Sequence, residues 1–375
     1  MKINELTYCD RELEWRFNPI HFSDLTLLVG ISGVGKTQII KSIIALQEIA
    51  KGGSINGLEW DIYFSINNDR EYQWKGKFET KKLPAMLSKE DEKSEGLKFR
   101  LIWEELYFNN VLIIERSDNK IKFKGDKLPK LSPFQSVVYL FSEEEDVVPI
   151  RNAFNKIIYS EGTSLVNPVD SINYIQFVQN YNSLEKIQNS NFYIQIKLAL
   201  VYIHAREVFQ KIKESFINIF SQVEDIQIHI VETEYMPLKS RYYPFVYIKE
   251  KGVNHWIPQT HISSGMFRTL MHISELYLCA EGSVILIDEF ENSLGVNCID
   301  VLTELLLENR NLQFIITSHH PYIINKISME HWKIVTRQGG VVTARDAKDF
   351  NLGKSRHQAF MQLINLEEYA EGIKV

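Results

Sequence analysis

The residues from Gly30 to Thr37 have the types and the spacing of a loop that binds phosphate. They read Gly-Ile-Ser-Gly-Val-Gly-Lys-Thr, which fits the pattern GxxxxGK[ST]. Glycines let the backbone wrap a phosphate with its N–H groups pointing inward, and the start of a helix adds partial positive charge. In this chemistry Lys36 reaches the β- and γ-phosphates and the hydroxyl of Thr37 binds Mg²⁺. The residues expected to contact the nucleotide here are Gly30, Ser32, Gly33, Val34, Gly35, Lys36, Thr37 and Gln38.

An acidic pair that follows four apolar residues is a second candidate site. Val284–Ile287 predicts a buried strand, and Asp288 and Glu289 come directly after it. Ligands bind at the carboxyl edge of parallel α/β sheets, so such a strand delivers both carboxylates to a binding site. There Asp288 would hold Mg²⁺, and Glu289 would polarise the attacking water. Strands often end in acidic residues, so this pair by itself is a weak signal, and the neighbouring motifs strengthen it.

Two further motifs place polar residues where an anion can bind. Another buried strand, Gln313–Thr317, precedes His319, which at the tip of that strand can touch a γ-phosphate, although a lone histidine there is more often structural. A serine–glycine turn, Ser263-Ser264-Gly265, opens a predicted helix shortly before the acidic strand. The amide groups at a helix start bind anions, but a serine in this position more often serves only as an N-cap.

The elements around these motifs alternate between strands and helices. Residues 1–29 predict strands that end in the apolar run Leu25–Val29, and a helix is expected from Thr37 to Ala50. Residues 58–125 predict an antiparallel β lobe with a hairpin turn at Asn109-Asn110, and with a mobile loop over residues 88–96. From residue 226 onward the alternation predicts parallel β/α units.

The middle of the chain, residues 150–222, is expected to be largely helical. Its longest predicted helix runs from Phe192 to Phe220. A capping box of Ser142 and Glu145 is expected to start a helix just before this region. We therefore predict three parts: residues 1–149 with the phosphate loop and the β lobe, a helical insertion over 150–222, and residues 223–375 with the remaining motifs.

Composition excludes several classes of protein. The 375 residues are 45% hydrophobic and 24% charged, which suits a globular chain with a sizeable core. The net charge of -6 does not favour direct binding of DNA or RNA, since proteins that coat nucleic acids are usually basic. The cysteines Cys9, Cys279 and Cys298 lie far apart, which argues against a disulfide framework or a zinc site. Neither a signal peptide nor an apolar run of membrane-spanning length is present, so a cytoplasmic location without a membrane partner is expected.

In chain order these motifs resemble the Walker A, signature, Walker B and H-loop motifs of ABC-type ATPase heads. Ser293-Leu294 resembles their D-loop, and the strings LIDEFENSL and ITSHHPYIIN resemble OLD-family, RecF-like and anti-phage defence ATPases. The resemblance implies an α/β P-loop NTPase fold of the ABC-ATPase type, with an antiparallel β lobe and a helical insertion. It also implies ATP and Mg²⁺ as cofactors, a homodimer that encloses ATP, and a glutamine near Mg²⁺, for which Gln135 is the candidate.

The resemblance leaves more than one function open. OLD-family nucleases continue into a Toprim domain, whereas 55 residues (375 − 320) follow His320 here and contain no clear acidic pair on strand ends. An ATPase that senses or switches a separate effector in prokaryotic anti-phage defence is therefore the first hypothesis. The alternatives are a RecF-like DNA-repair ATPase that binds DNA directly and a nucleotide-dependent scaffold with little turnover.

Overall fold

The computed structural model of the protein describes residues 1–67, 69–82, 96–117, 120–160, 169–170, 178–190, 192–233, 241–292, 296–307, 311–350, 352–353, 355–366, 369 and 372–374. The chain divides into two compact units, and each is described by itself below. The first unit comprises Met1–Tyr159, Gly282–Glu289 and Asn311–Val375, and the second comprises Ser160–Glu281 and Phe290–Arg310. The three-part division at residues 149 and 222 stays a prediction.

Nineteen strands form two sheets among the residues that the structure describes. In chain order they are β1 (Lys2–Asp10), β2 (Trp15–His21), β3 (Leu25–Val29), β4 (Leu58–Ile66), β5 (Arg70–Phe78), β6 (Leu101–Phe108), β7 (Val111–Ser117), β8 (Lys120–Phe123), β9 (Asp126–Lys127), β10 (Ile157–Ser160), β11 (Val169–Asp170), β12 (Val223–Thr233), β13 (Arg241–Glu250), β14 (Ile257–Pro258), β15 (Val284–Ile287), β16 (Gln313–Thr317), β17 (Trp332–Gln338), β18 (Val341–Asp346) and β19 (Ile373–Lys374).

Ten α-helices and three short 3₁₀ turns accompany these strands in the described ranges. The helices are α1 (Lys36–Ala50), α2 (Val137–Leu140), α3 (Val148–Asn155), α4 (Leu184–Gln188), α5 (Ile194–His204), α6 (Arg206–Ile219), α7 (Ser264–Leu278), α8 (Val296–Leu307), α9 (Pro321–Lys326) and α10 (Arg356–Ile364). The 3₁₀ turns are Gln259–His261, Met329–His331 and Ala347–Phe350. None of the described helices combines the length and the apolar character needed to cross a membrane.

The large sheet of the first unit has a parallel centre and an antiparallel wing. Its strand order is β10-β15-β16-β3-β17-β18-β2-β1-β4-β5-β6-β7-β8-β9, with β19 added beside β17. The strands β15, β16, β3 and β17 run parallel to one another in that order. Their carboxyl ends therefore meet at one edge, where Gly30 follows β3, Asp288 follows β15 and Ser318 follows β16. The apolar sequences of β3, β15 and β16 explain why these strands form the parallel centre of the sheet, since all three are buried along their full length.

The β lobe expected over residues 58–125 corresponds to β4 to β8, and the antiparallel wing also contains β1 and β2 on one side of it and β9 on the other. Large aromatic side chains are buried between the lobe and α3: the ring of Trp74 lies 5.1 Å from that of Trp60 and 5.3 Å from that of Phe154 in α3, centroid to centroid. The turn between β6 and β7 has positive φ angles at Asn109 and Asn110, as a tight hairpin requires. The loop expected over residues 88–96 lies outside the described residues, apart from Gly96.

A buried ion pair lies inside this lobe. Glu104 and Arg116 approach to 3.5 Å, and both side chains are at most 1% exposed. Glu104 also accepts hydrogen bonds from the indole of Trp74 and from the amide of Val137. Burial raises the pKa of Glu104 to about 7, although Arg116 and the two hydrogen bonds act in the opposite direction.

The second unit contains the small sheet and five of the ten described helices, α4 to α8. Its strands β12 and β13 pair along their length in antiparallel fashion, and β11 and β14 each pair with β13. The single helix expected from Phe192 to Phe220 is wrong, because Ala205 interrupts it with φ -134° and ψ 61° and leaves α5 and α6 as separate helices. This unit also contains α7, which begins at the predicted serine–glycine turn.

The expected capping box of Ser142 and Glu145 is also wrong. The helix α3 starts later, at Val148, without a side-chain cap and with Pro149 in its first turn. Ser136 instead caps the short helix α2, and its hydroxyl accepts the amide of Tyr139. A proline fits the first helical turn because it has no N–H to satisfy there, which sets the start of α3.

Candidate functional site

The phosphate-binding loop leaves β3 and enters α1, as its sequence predicted. Ser32 and Gly33 at its tip are exposed, whereas Val34 and Gly35 are buried. Gly35 has a φ of 105°, and a Cβ there would lie 2.9 Å from Val342 and 3.0 Å from Trp15. Only glycine combines this backbone conformation with so close an approach. The loop is therefore anchored on its inner side and open at the tip that faces a ligand.

Lys36, the first residue of α1, folds back over the loop. Its ammonium donates hydrogen bonds to the carbonyl oxygens of Gly30 at 2.7 Å and Ile31 at 2.9 Å. The ammonium is thus held where an anion bound at the loop can reach it. Thr37 follows in the same helical turn, and the exposed Gln38 comes next.

The carboxylate of Asp288 accepts hydrogen bonds from two hydroxyl groups, one at the start of α1 and one at the end of β16. Thr37 donates to Asp288 Oδ1 at 3.2 Å, and Thr317 donates to the same oxygen at 2.6 Å. These residues belong to the first turn of α1, the end of β15 and the end of β16. The structure therefore brings together two of the three predicted magnesium-binding residues, Thr37 and Asp288, and adds Thr317 to them.

Glu289, the carboxylate predicted to polarise the attacking water, has an unusual backbone conformation. Its φ of 48° lies in the left-handed region, which non-glycine residues seldom adopt. The amide of Glu289 donates to the hydroxyl of Thr317 at 2.8 Å, so a second residue holds the turn in place. Backbone strain of this kind costs on the order of 1–3 kcal/mol and clusters at functional sites. The turn leaves the side chain of Glu289 exposed beside Asp288.

Thr317 is the site residue that sequence reasoning missed. It was predicted only as the polar end of a buried strand, yet its hydroxyl donates to Asp288 and accepts from the amide of Glu289. Its side chain is only 1% exposed, so both hydrogen bonds are sheltered from water. The available signal was a threonine at the last position of an otherwise apolar strand.

The two histidines after β16 have different surroundings. His319 is exposed at the edge of the sheet where Asp288 and Gly30 also lie. His320 is the N-cap of α9, and its Nδ1 accepts the amide of Tyr322 at 3.2 Å. The capping role explains His320 structurally and leaves His319 as the candidate for contact with a phosphate.

Gln135 lies away from this group of residues. Its carbonyl accepts a hydrogen bond from Arg116 in the lobe. The neighbouring Ser136 donates to the carbonyl of Ile49, in the last turn of α1. Thr37 is in the first turn of that helix, about 18 Å away at 1.5 Å per residue. The expected place of Gln135 beside Mg²⁺ is therefore corrected, because the fold brings Gln135 to the opposite end of α1.

The predicted signature residues belong to the second unit. Ser263 accepts a hydrogen bond from the amide of Met266 at 3.2 Å, so it serves as the N-cap of α7. Ser263 and Ser264 are nevertheless exposed, and Gly265 is partly exposed, so the start of this 15-residue helix lies at the surface of the second unit. The D-loop residues Ser293 and Leu294 lie outside the described residues.

The cluster beside the phosphate-binding loop suits a magnesium ion. Mg²⁺ prefers oxygen ligands and is commonly held by one or two carboxylates together with phosphate oxygens of a substrate. Thr37 and Asp288 supply a hydroxyl and a carboxylate within 3.2 Å of each other. Two protein oxygens next to a phosphate-binding loop are the donor set that such an ion requires.

Comparison with known proteins identifies a family for the chain. The chain matches the family described as "AAA domain, putative AbiEii toxin, Type IV TA system" over residues 25–325. No curated protein matches the chain.

Among solved structures, the chain is similar to an SmcHead bound to the C-winged helix domain of ScpA, with 13% identity, a TM-score of 0.51 and coverage of 92% of this chain and 97% of that chain. An SMC head domain from Thermotoga maritima has 15% identity, a TM-score of 0.43 and coverage of 92% and 99%. An Smc head domain with an extended coiled coil, bound to the C-terminal domain of ScpA derived from Pyrococcus furiosus, has 14% identity, a TM-score of 0.46 and coverage of 92% and 95%. The first of these similarities confirms the expected fold, that of an ABC-type P-loop head.

Proposed function

Because the chain belongs to the AAA-domain family whose model spans residues 25–325, we propose that it binds ATP with Mg²⁺ and hydrolyses it to ADP and phosphate. The observation that carries this proposal is the group formed by Thr37, Asp288, Glu289 and Thr317 beside the phosphate-binding loop. Three separate segments of the chain contribute hard oxygen donors and one exposed carboxylate to this group. That convergence is what phosphoryl transfer to water requires.

Each residue has a distinct task in the proposed reaction. The amides of the loop surround the phosphates, and Lys36 exchanges its two carbonyl partners for phosphate oxygens. Glu289 orients the attacking water and accepts its proton while the new O–P bond forms and the bond to the ADP oxygen breaks. His319, exposed after β16, is proposed to donate to the γ-phosphate. When bound with ATP, Mg²⁺ neutralises charge on the phosphate oxygens, and Thr37 and Asp288 would hold it.

We also propose that two copies of the chain enclose ATP between them. In that arrangement the exposed helix start at Ser263, Ser264 and Gly265 of one copy meets the γ-phosphate bound to the other. The exposed start of α7 supports this, since a helix N-terminus favours an anion. Closure with ATP and reopening after hydrolysis would give a cycle that controls another molecule.

The output of this cycle is proposed to lie on a separately encoded effector, in prokaryotic anti-phage defence. The description of the family names a toxin and a toxin–antitoxin system, which by its nature has two components. The SmcHead of similar fold was solved with a domain of a partner protein. The β lobe or residues 150–222 are the proposed docking region, because the sheet edge serves the nucleotide. The proposed location is the cytoplasm.

The test begins with purified protein, ATP and Mg²⁺. Phosphate release that disappears in Lys36→Ala supports the ATPase, and absence of any release from the wild type contradicts it. The same sample is then incubated with plasmid and with Mg²⁺ or Mn²⁺. Cleavage that is lost in Glu289→Gln would show that the output is internal rather than on an effector.

The proposed partner requires a separate experiment. The chain is expressed with its genomic neighbours, and the proteins that co-elute with it through size-exclusion chromatography are identified. A stoichiometric complex with one neighbour supports the effector. Tight binding of the isolated chain to duplex DNA at physiological salt, without such a complex, would favour the RecF-like alternative.

A further inference from the structure

A segment far along the chain packs directly on the phosphate-binding loop. Gly372 is buried, and its φ is 42°. A Cβ at this position would lie 2.6 Å from Ile31 Cγ1, 2.9 Å from Ile31 Cδ1 and 3.1 Å from Val34 Cγ1. Ile31 and Val34 are two residues of the loop itself, so Gly372 touches the loop with its backbone.

The segment has its own attachment to the sheet. The strand β19, which follows Gly372, pairs in parallel with the end of β17. The amide of Arg337 in β17 donates to the carbonyl of Gly372 at 2.8 Å. Gly372 is thus held between a sheet strand on one side and the loop on the other.

The strand β17 also holds the start of the loop. It pairs with β3, the strand that leads into the loop, and Val29 lies opposite Ile334. A Cβ on Gly30 would lie 2.6 Å from the carbonyl oxygen of Val335. The loop is therefore supported by β17 at Gly30 and by Gly372 at Ile31 and Val34.

We propose that Gly372 is a positioning residue for the phosphate-binding loop, and that docking of β19 on β17 sets the affinity of the loop for ATP. This inference rests on the proposed ATP binding. The inward amides of such a loop bind phosphate only in one arrangement, and the stiff branched side chains of Ile31 and Val34 transmit any displacement to that backbone. Only a glycine leaves room for both side chains at this distance.

The first experiment measures the dissociation constant of Mg-ATP by calorimetry for the full chain, Gly372→Ala and Gly339→Ala. Gly339 is the matched control, because its φ of 54° is similar but nothing lies within 4 Å of a Cβ there. Overpacking at Gly372 should raise the dissociation constant about tenfold. Gly339→Ala should leave it unchanged, although both variants carry the backbone strain. Replacing Ile31 by Ala in the Gly372→Ala variant should restore most of the affinity, because it removes the colliding atoms.

Thermal unfolding without nucleotide separates positioning from simple loss of stability. Gly372→Ala should lose more Tm than Gly339→Ala, because overpacking adds to the backbone strain that both variants carry. Weaker ATP binding only in Gly372→Ala, measured at a temperature at which both variants are folded, supports the proposal. Wild-type affinity in Gly372→Ala overturns it, and so does an equal loss of affinity in Gly339→Ala. A wild type that does not bind ATP at all contradicts the proposed function as well.

A measurement on the wild type keeps the proposal testable even if Gly372→Ala does not fold. ATP should slow hydrogen exchange at the amide of Arg337, since that amide is bonded to Gly372 and the two sites are coupled. An exchange rate at Arg337 that is the same with and without saturating ATP overturns the coupling.

Discussion

The hydroxyl of Thr317 donates a 2.6 Å hydrogen bond to Asp288 across two neighbouring parallel strands. The same hydroxyl accepts the amide of Glu289, the residue after Asp288. One buried side chain therefore orients the proposed magnesium-binding carboxylate and fixes the strained turn that carries the proposed general base. Because the hydroxyl comes from the adjacent strand, the geometry of both acids depends on the register of β15 and β16.

Thr317→Val should lower kcat about 10- to 100-fold and leave ATP binding largely intact. The valine matches the shape of threonine but leaves the Glu289 amide without this acceptor and Asp288 without one of its two hydroxyl donors, a loss of about 1–3 kcal/mol. Steady-state phosphate release and calorimetric ATP titration measure the two effects. Thr317→Ser keeps the hydroxyl and should retain most of the activity. Full activity of Thr317→Val would mean that Thr317 contributes only to packing.

Lys36→Ala should weaken ATP binding about 100-fold or more. The ammonium is held over the loop by Gly30 and Ile31, and each charge-assisted hydrogen bond to phosphate contributes about 1.5–3 kcal/mol. Calorimetric titration with Mg-ATP gives the dissociation constant. Lys41→Ala, on the exposed face of α1, is the matched control and should bind as the wild type does. Unchanged affinity in Lys36→Ala is incompatible with the assignment of the loop.

Glu289→Gln should lower kcat about 10²- to 10⁴-fold while ATP still binds. The amide keeps the size of the side chain and one hydrogen-bond acceptor but loses the base, so an ATP-bound dimer should accumulate. Single-turnover phosphate release and analytical ultracentrifugation with ATP test the two parts. Glu71→Gln, an exposed change in the lobe, should leave both unchanged. If turnover of Glu289→Gln equals that of the wild type, another acid such as Glu291 acts as the base.

Gly265→Asp should weaken ATP-dependent dimerisation. A carboxylate at the start of α7 stabilises the helix itself but repels the γ-phosphate that the partner copy would present. Sedimentation velocity with and without ATP measures the effect. Gly252→Asp adds the same charge at an exposed turn of the same unit, where nothing lies within 4 Å. An ATP-dependent dimer in Gly265→Asp that is as stable as that of the wild type excludes the proposed place of the signature turn.

The buried Glu104 should make the folded lobe less stable as the pH rises. Its folded pKa is raised from 4.5 to about 7, so the folded state holds the proton more tightly than the unfolded state. The resulting stabilisation is complete below pH 4.5 and is lost as the pH rises to about 7. The free energy of unfolding of the wild type minus that of Glu104→Gln should therefore fall by roughly 3 kcal/mol across this window. Urea unfolding at several pH values measures it, and a difference that stays constant with pH contradicts the raised pKa.

The amino-acid sequence alone determined the parts of the site that depend on local spacing. The order strand, GxxxxGKT loop and helix is encoded between Leu25 and Ala50, and the structure has β3 and α1 within one residue of the predicted bounds. The buried strand that precedes Asp288 and the hairpin turn at Asn109-Asn110 were likewise predictable. In each case neighbouring residues carry the signal, because apolar runs and turn-forming residues act over a few positions.

Tertiary structure decided which distant residues meet. The pairing of β15, β16 and β3 joins Thr37, Asp288 and Thr317, whereas the packing of α2 against the end of α1 takes Gln135 away from them. The contact of Gly372 with Ile31 has the same origin, since it depends on the pairing of β19 with β17. Strand order and register are set by the burial of whole strands against partners far along the chain, and no local pattern of residue types specifies those partners.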